Sequence, residues 1–270
     1  MQPVSARAPG RATTTAMPLP AGGVVPASDV NPRPPVLLTP AARKELRNRM
    51  LFHRQAALDR IVALTGVSTE SLRTVRHELS ESDLPDRLLQ RGASLAYTQE
   101  LPQGSLLYLL VRAARPNRVV ETGVGPGYSS SWILAALEAN RYGELVSIGP
   151  GSPHGRASGV GLVSVGAFVP PALRSRWTLV LGNAEDRLRE VFDPGRGTDL
   201  AFLDNAHDAD RARFELHHAW SSLAPGGILL AHHIESNPAW GDFCRAQGVP
   251  PQLLDPGPPP MGALSVGPRR

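Results

Sequence analysis

At 270 residues with 41% apolar side chains, the chain is long enough to bury one sizeable core, and no apolar run is long enough to span a bilayer. The formal charge of +4 rests almost wholly on arginine, with Lys44 the only lysine. The arginines are scattered and usually lie near Asp or Glu, which argues against nucleic acid or membrane as a partner. The single cysteine, Cys244, excludes an internal disulfide and fits a reducing cytoplasm, with a core or half-buried helix position as its simplest role.

Residues 1–38, rich in Pro, Ala, Gly, Ser and Thr, show no periodic apolar face and no signal-peptide h-region, and read as a disordered tail. Residues 39–93 read as a helical N-terminal extension. Pro40 to Leu64 carries Leu46, Met50, Leu51, Leu58, Ile61 and Leu64 at the spacing of one amphipathic helix. Ser71 to Arg91 is a more polar helix that Leu72, Val75, Leu79, Leu84 and Leu88 could pack on the first. The extension covers a sheet edge, or serves as a lid or a homodimer contact. Gln103 to Ala114 is an apolar helix leading into the first strand.

Residues 94–270 form the main domain. Strands are expected at Val119–Thr122, Leu145–Ile148, Leu179–Leu181, Leu200–Leu203, Ile228–His232 and Ala263–Val266. Between them fall helices at Ser130–Asn140, Ala184–Phe192, Asp208–Leu223 and Pro238–Gln247. Short apolar strands alternating with helices imply right-handed crossovers and a mostly parallel, doubly wound sheet. Such a sheet binds its ligands at the carboxyl ends of the strands, where the strand order reverses.

The chain turns on RVVETGVGPGYSSS, Arg118 to Ser131: a buried strand, the acid Glu121, a turn with Gly123, Gly125 and Gly127, and the small polar start of a helix. Glycines let the backbone take positive φ and approach a ligand, and the amides of the helix start can receive polar or anionic groups. The spacing is GxGxG, not the GxGxxG of a dinucleotide site.

Further motifs follow in order: VGAFVPPALRSRWTLVLGNAED, DLAFLDNAHDADRARFELHHAW, LAPGGILLAHHI and the closing MGALSV. Together with LLYLLVRAARPNRVVETGVGPGYSS they resemble the class I S-adenosylmethionine-dependent methyltransferases that modify small molecules, over roughly Leu95 to Val266. The resemblance implies a Rossmann-like α/β fold, a doubly wound, mostly parallel seven-stranded sheet with an antiparallel last strand, and S-adenosylmethionine as cofactor. It implies that Glu121, Gly123, Gly125 and Gly127 line the methionine part of the cofactor, that Asn183, Ala184 and Glu185 stand where adenine is contacted, and that Asp204 lies beside the methyl-transfer site. For Asn183, Ala184 and Glu185 a plain helix N-cap is the competing reading. One departure stands out. The family usually ends its second strand on an acid that takes both ribose hydroxyls, and this chain has Gly149 there. Losing such a charge-assisted pair costs about 2–3 kcal/mol.

Asp204, His207, His232 and His233 fall at the carboxyl ends of strands four and five. Asp204, His207 and His233 are the candidate catalytic set, with an imidazole taking the acceptor's proton near neutral pH and Asp204 orienting it. The same three are the candidate ligands of a divalent metal. In metal-dependent relatives acids at such positions hold Mg²⁺, and imidazole in their place suits a transition metal better. Because side chains alternate along a strand, one of His232 and His233 is expected to face the pocket. His217 and His218 are expected at the surface or in packing, Trp240 and Phe243 at the acceptor wall or the last helix, and the glycine-rich loop 149–166 over the same end of the sheet.

The function expected is a cytoplasmic S-adenosylmethionine-dependent methyltransferase acting on a small-molecule hydroxyl in secondary metabolism. The alternatives are a methyltransferase fold repurposed for cyclisation, elimination or a metal-assisted step, and a non-catalytic partner subunit.

Overall fold

The computed structural model describes residues 24–25, 37–90, 101–150, 154–157, 161–182, 184–204 and 208–267. The helical extension comprises α1 (Pro40–Met50), α2 (Gln55–Thr65), α3 (Thr69–Glu81) and α4 (Leu84–Leu88). Where the apolar spacing alone predicts two long helices, the backbone breaks twice. Leu51 to Arg54 leaves the helix and turns His53 into the core, and Ser82 goes extended just ahead of Pro85. Pro85 then falls in the first turn of α4, where the N–H it lacks would have no partner within the helix.

Then come α5 (Leu101–Ala114), β2 (Arg118–Thr122), α6 (Tyr128–Asn140), β3 (Glu144–Gly149), the pair β4 (His154–Ala157) and β5 (Gly161–Ser164), β6 (Trp177–Leu181), α7 (Ala184–Val191) and β7 (Thr198–Leu203). The chain closes with α8 (Ala209–Ser222), β8 (Leu223–His232), α9 (Ala239–Ala246), β9 (Leu253–Asp255) and β10 (Met261–Ser265). With β1 (Val24–Val25), eight strands form one sheet in the order β1-β6-β3-β2-β7-β8-β10-β9. From β6 to β8 every pairing is parallel, and β10 lies antiparallel between β8 and β9. That is the expected seven-stranded sheet with its reversed last strand.

The eighth strand is a correction. Val24 and Val25 sit in the stretch read as a disordered tail, yet pair antiparallel with Val180 and Leu179 and so cover the β6 edge. Two valines among prolines and alanines have no periodicity to read, but an open edge supplies the partner that a short strand lacks. β9 was unforeseen for the same reason, being three residues between proline-rich turns. The loop expected over the carboxyl ends of the strands contains the antiparallel pair β4–β5.

Every residue of β2 is buried, as a central parallel strand covered on both faces requires. On one face, α5 and α6 pack their leucines against Val119, Leu145, Leu200 and Leu230. On the other, α7, α8 and α9 cover Val120, Val146, Ala201 and Leu229, and Cys244 is buried in that layer, where burial pushes its thiol up. The extension packs mainly on α5, while α2 reaches β9 at the far sheet edge, where Arg54 Nη1 lies 3.0 Å from Asp255 Oδ1.

His53 ties the extension to α5 through Nε2 and Ser105 Oγ, 2.8 Å apart. Burial, with the positive charge of Arg76 adding to it, lowers its pKa from 6.5 to about 4. The unfolded chain therefore binds the proton more readily. The neutral-His53 contribution is complete above pH 6.5 and is lost as pH falls toward 4, a span worth about 3 kcal/mol. Denaturant unfolding of His53→Gln against the parent between pH 4 and 7 should show the parent's stability falling more steeply on the acid side. Parallel curves would refute the coupling.

Candidate functional site

Two turns make the site. After β2 the chain runs through Gly123, Gly125 and Gly127, all with positive φ (83°, 47° and 91°), and enters α6. The turn is pinned by Gly123 N–H to the Ile148 carbonyl at 3.2 Å, Gly166 N–H to the Gly125 carbonyl at 3.0 Å and Phe168 N–H to the Pro126 carbonyl at 2.8 Å. Gly127 is there for packing: a Cβ would lie 2.7 Å from a Val169 methyl. Gly123 and Val124 face a cleft of about 380 Å³, together with Tyr128 and Ser129 from the start of α6. Gln103, Gly104 and Leu107 from α5 form the side wall. The strand ends contribute Phe202, Asp204, His232 and Met261.

Glu121, Gly125 and Gly127 are not among the cleft's lining residues. The Glu121 carboxylate is wholly buried beneath the turn and is held by three hydroxyls: Ser129 at 2.5 Å, Ser130 at 2.6 Å and Ser147 at 2.6 Å. Trp177 Nε1 donates to Ser147 from behind, at 2.9 Å. Burial pushes the Glu121 carboxyl above its ordinary range and the serine bonds pull it down, with a net upward shift. The physical role of this acid is thus to hold the first turn of α6 to β2 and β3. Sequence spacing gives its distance from the glycines along the chain, not the direction of its side chain.

At the other wall, β7 and β8 are neighbours, so their last residues meet. Asp204 N–H donates to the Thr122 carbonyl at 3.1 Å, and its Oδ1 lies 2.7 Å from His232 Nδ1. His233 also turns to the same carboxylate, with Nε2 at 4.0 Å from Oδ1 and Nδ1 at 3.6 Å from Glu235. The two rings, with centroids 4.2 Å apart, do not point to opposite faces, yet only His232 lines the cleft of Gly123, as the expectation of a single facing histidine has it. β8 ends at His232, and His233 adopts φ 52°, so strand alternation has stopped applying when the second imidazole is placed. Among the described residues, Asp204, His232 and His233 each offer a ligand atom within 4.8 Å of the other two; of the expected Asp204, His207, His233 trio, His207 lies outside the described residues. His232, which the sequence places at a strand end with Asp204 but outside the candidate catalytic set, is the imidazole in contact with that carboxylate.

Asn183 and His207 lie outside the described residues, and so does the tail apart from residues 24–25 and 37–38. Ala184 opens α7, and Glu185 is exposed in its first turn. His218 packs on Phe214, with ring centroids 4.0 Å apart, and His217 is exposed. Trp240 lines a second cleft of about 330 Å³ on the other side of His232, and its indole covers Gly262. At the end of β3, a Cβ on Gly149 would lie 2.8 Å from a Leu181 methyl and 3.2 Å from Val165. The position that elsewhere carries the ribose acid is closed by packing.

Comparison with known proteins bears on this geometry. Residues 120–234 match a family model described as a methyltransferase domain. A provisionally assigned O-methyltransferase of Mycobacterium sp. (strain JLS) is 30% identical over 139 residues, which cover 52% of this chain and 58% of that protein. A catechol O-methyltransferase of Niastella koreensis is 24% identical over 174 residues, 63% of this chain and 69% of its own length. Among solved structures, the O-methyltransferase TomG of Streptomyces achromogenes superposes with a TM-score of 0.48 at 22% identity, covering 67% of this chain and 90% of TomG. No helix among the described residues is long and apolar enough to cross a membrane.

Proposed function

We propose that this chain, whose residues 120–234 match a methyltransferase-domain model, is a class I S-adenosylmethionine-dependent enzyme that transfers a methyl group to an oxygen of a small molecule. The observation that carries the reading is the Asp204–His232 pair at the ends of adjacent strands, facing the Gly123 turn across one cleft.

The residues present fit the methionine half of the cofactor. Gly123 and Val124 leave the cleft open beside the backbone, and the first turn of α6 offers amides that have no partner within the helix. Ribose must be held without a side chain at position 149, and adenine falls to the segment Asn183, Ala184 and Glu185. Bound there, S-adenosylmethionine would supply an electrophilic methyl on a positively charged sulfur.

The chain's own part is to hold the acceptor in line, exclude water and remove one proton. Asp204 holds the proton of His232 on Nδ1, so the Nε2 lone pair is the basic one and can take the acceptor's hydroxyl proton. The same carboxylate stabilises the imidazolium that results. His233, with 29% of its side chain exposed, is the second candidate base. Asp204, His232 and His233 would also hold a divalent ion, which would lower the pKa of a coordinated hydroxyl. Two imidazoles and one carboxylate suit Zn²⁺, Fe²⁺ or Mn²⁺ better than Mg²⁺. A reducing cytoplasm fits the lone buried Cys244. Contact between copies through the extension is favoured by Leu37 and Phe52, which stay 97% and 59% exposed. A role in secondary metabolism is part of the same reading.

Calorimetric titration of the metal-stripped protein should show one-to-one micromolar binding of S-adenosylmethionine. Incubation with a catechol acceptor panel should then release S-adenosylhomocysteine. Absence of heat at millimolar cofactor would overturn the reading, and turnover without S-adenosylhomocysteine would move it to a repurposed fold.

A further inference from the structure

Gln103 sits in the first turn of α5 with 4% of its surface exposed, and lines the cleft described above. Its Nε2 donates to the carbonyl of Pro259, in the segment between β9 and β10. That carbonyl can only accept, which fixes which way round the amide lies. The other end, Oε1, is buried and has no hydrogen-bond partner among the described residues. Buried amide oxygens are nearly always paired, so an acceptor left over beside a cleft points to a donor that arrives with a ligand.

The rest of the cleft indicates which donor. One side is the start of α6, a helix of 13 residues entered through Gly127 at φ 91°, whose first amides favour an anion. The Ser129 hydroxyl is already given to Glu121, so on that side the backbone, not the side chain, is what remains for a carboxylate. On another side Asp204 brings negative charge, with Oδ1 engaged by His232. A cleft with anion-seeking amides and acceptor oxygens at separate walls matches an amino-acid zwitterion.

We propose that Gln103 is a cofactor-positioning residue: its Oε1 accepts a hydrogen bond from the α-ammonium of the methionine part of S-adenosylmethionine, with Asp204 supplying the charge. The assignment rests on the cofactor reading of the cleft and adds a residue from outside the glycine turn, on the helix that precedes the first parallel strand. The Pro259 bond gives the amide its orientation before ligand arrives, so little rotamer freedom is lost on binding.

The test separates the amino-acid end from the nucleoside end. The full chain and its Gln103→Leu variant are titrated with S-adenosylmethionine and with 5′-deoxy-5′-methylthioadenosine, which keeps the nucleoside and thioether but lacks the amino acid. The expected result is roughly a tenfold loss of affinity for S-adenosylmethionine in the variant, with the thioether nucleoside changed less than about twofold. Unchanged affinity for S-adenosylmethionine, or an equal loss for both ligands, would overturn the assignment. The latter would mark Gln103 as a prop for the Pro259 segment. A second measurement does not depend on the variant being well folded under ligand. The side-chain amide signals of Gln103 in the parent, identified by their absence in Gln103→Leu, should move on adding S-adenosylmethionine and stay in place with the thioether nucleoside. Failure of the parent to bind either ligand would sink the cofactor reading itself, and this assignment with it.

Discussion

Asp204→Ala should lower the rate of methyl transfer by about 10²–10⁴-fold while leaving the fold in place. The carboxylate is the common neighbour of both imidazoles, 2.7 Å from His232 Nδ1 and 4.0 Å from His233 Nε2. Without it the His232 ring loses the group that keeps its proton on Nδ1, and the imidazolium formed on proton transfer loses its counter-charge. Asp204 stands beyond the end of β7, with its side chain 20% exposed, so its removal opens no large cavity in the core. Its backbone N–H to Thr122 is unaffected by the change. Asp204→Asn keeps the shape and removes the charge, and should fall close to the alanine variant if charge is what matters. The readout is S-adenosylhomocysteine released per enzyme at saturating acceptor. Turnover of Asp204→Ala within tenfold of the parent would remove this pair from the chemistry.

Glu121→Leu should be the most damaging substitution for stability, with an expected loss of about 3 kcal/mol or more. The leucine fills much of the volume but leaves the hydroxyls of Ser129, Ser130 and Ser147 without the acceptor they share. The turn that these serines anchor forms one wall of the cleft, so cofactor affinity should fall with stability. Glu121→Gln should cost far less, since an amide can accept from two hydroxyls and donate to the third.

The pair of variants also carries a pH signature. Burial raises the carboxyl above its ordinary 4.5 in the folded chain, so the native state holds this proton more tightly than the unfolded chain does. Stability from this group is therefore greatest below pH 4.5 and declines as pH rises through the interval up to the raised value. In Glu121→Gln that decline should vanish. The slope is opposite in sign to that of His53, so each is read as the difference between one variant and the parent. A Glu121→Leu protein that melts within 1–2 °C of the parent would show that the buried network contributes little.

Much of the architecture was legible in the residues. The run Val119–Val120, the acid, three glycines and small polar residues before Trp132 and Ile133 mark strand, turn and helix by local rules that need no distant partner. Strong 3.6-residue and short apolar patterns did the same for α5 through α9 and for the parallel strands. The site was legible only as a set of candidates. The sequence could put Asp204 and the two histidines at strand ends, but it assigned them faces by an alternation that ends one residue too early, at His232. It read Glu121 as a ligand contact because the motif places it near the glycines, whereas three serines from two elements draw it into the core.

The amino-acid order by itself determined the alternation of strands and helices, the glycine turn and the identity of the polar groups near it, because each depends on neighbours within a few residues. Tertiary structure decided that β7 lies beside β8, that Val24 and Val25 close the β6 edge, that the His232 imidazole meets Asp204, and that Gln103 lines the cleft. Those facts depend on which segments distant in sequence come together, and burial and hydrogen-bond satisfaction, not local periodicity, choose among those meetings.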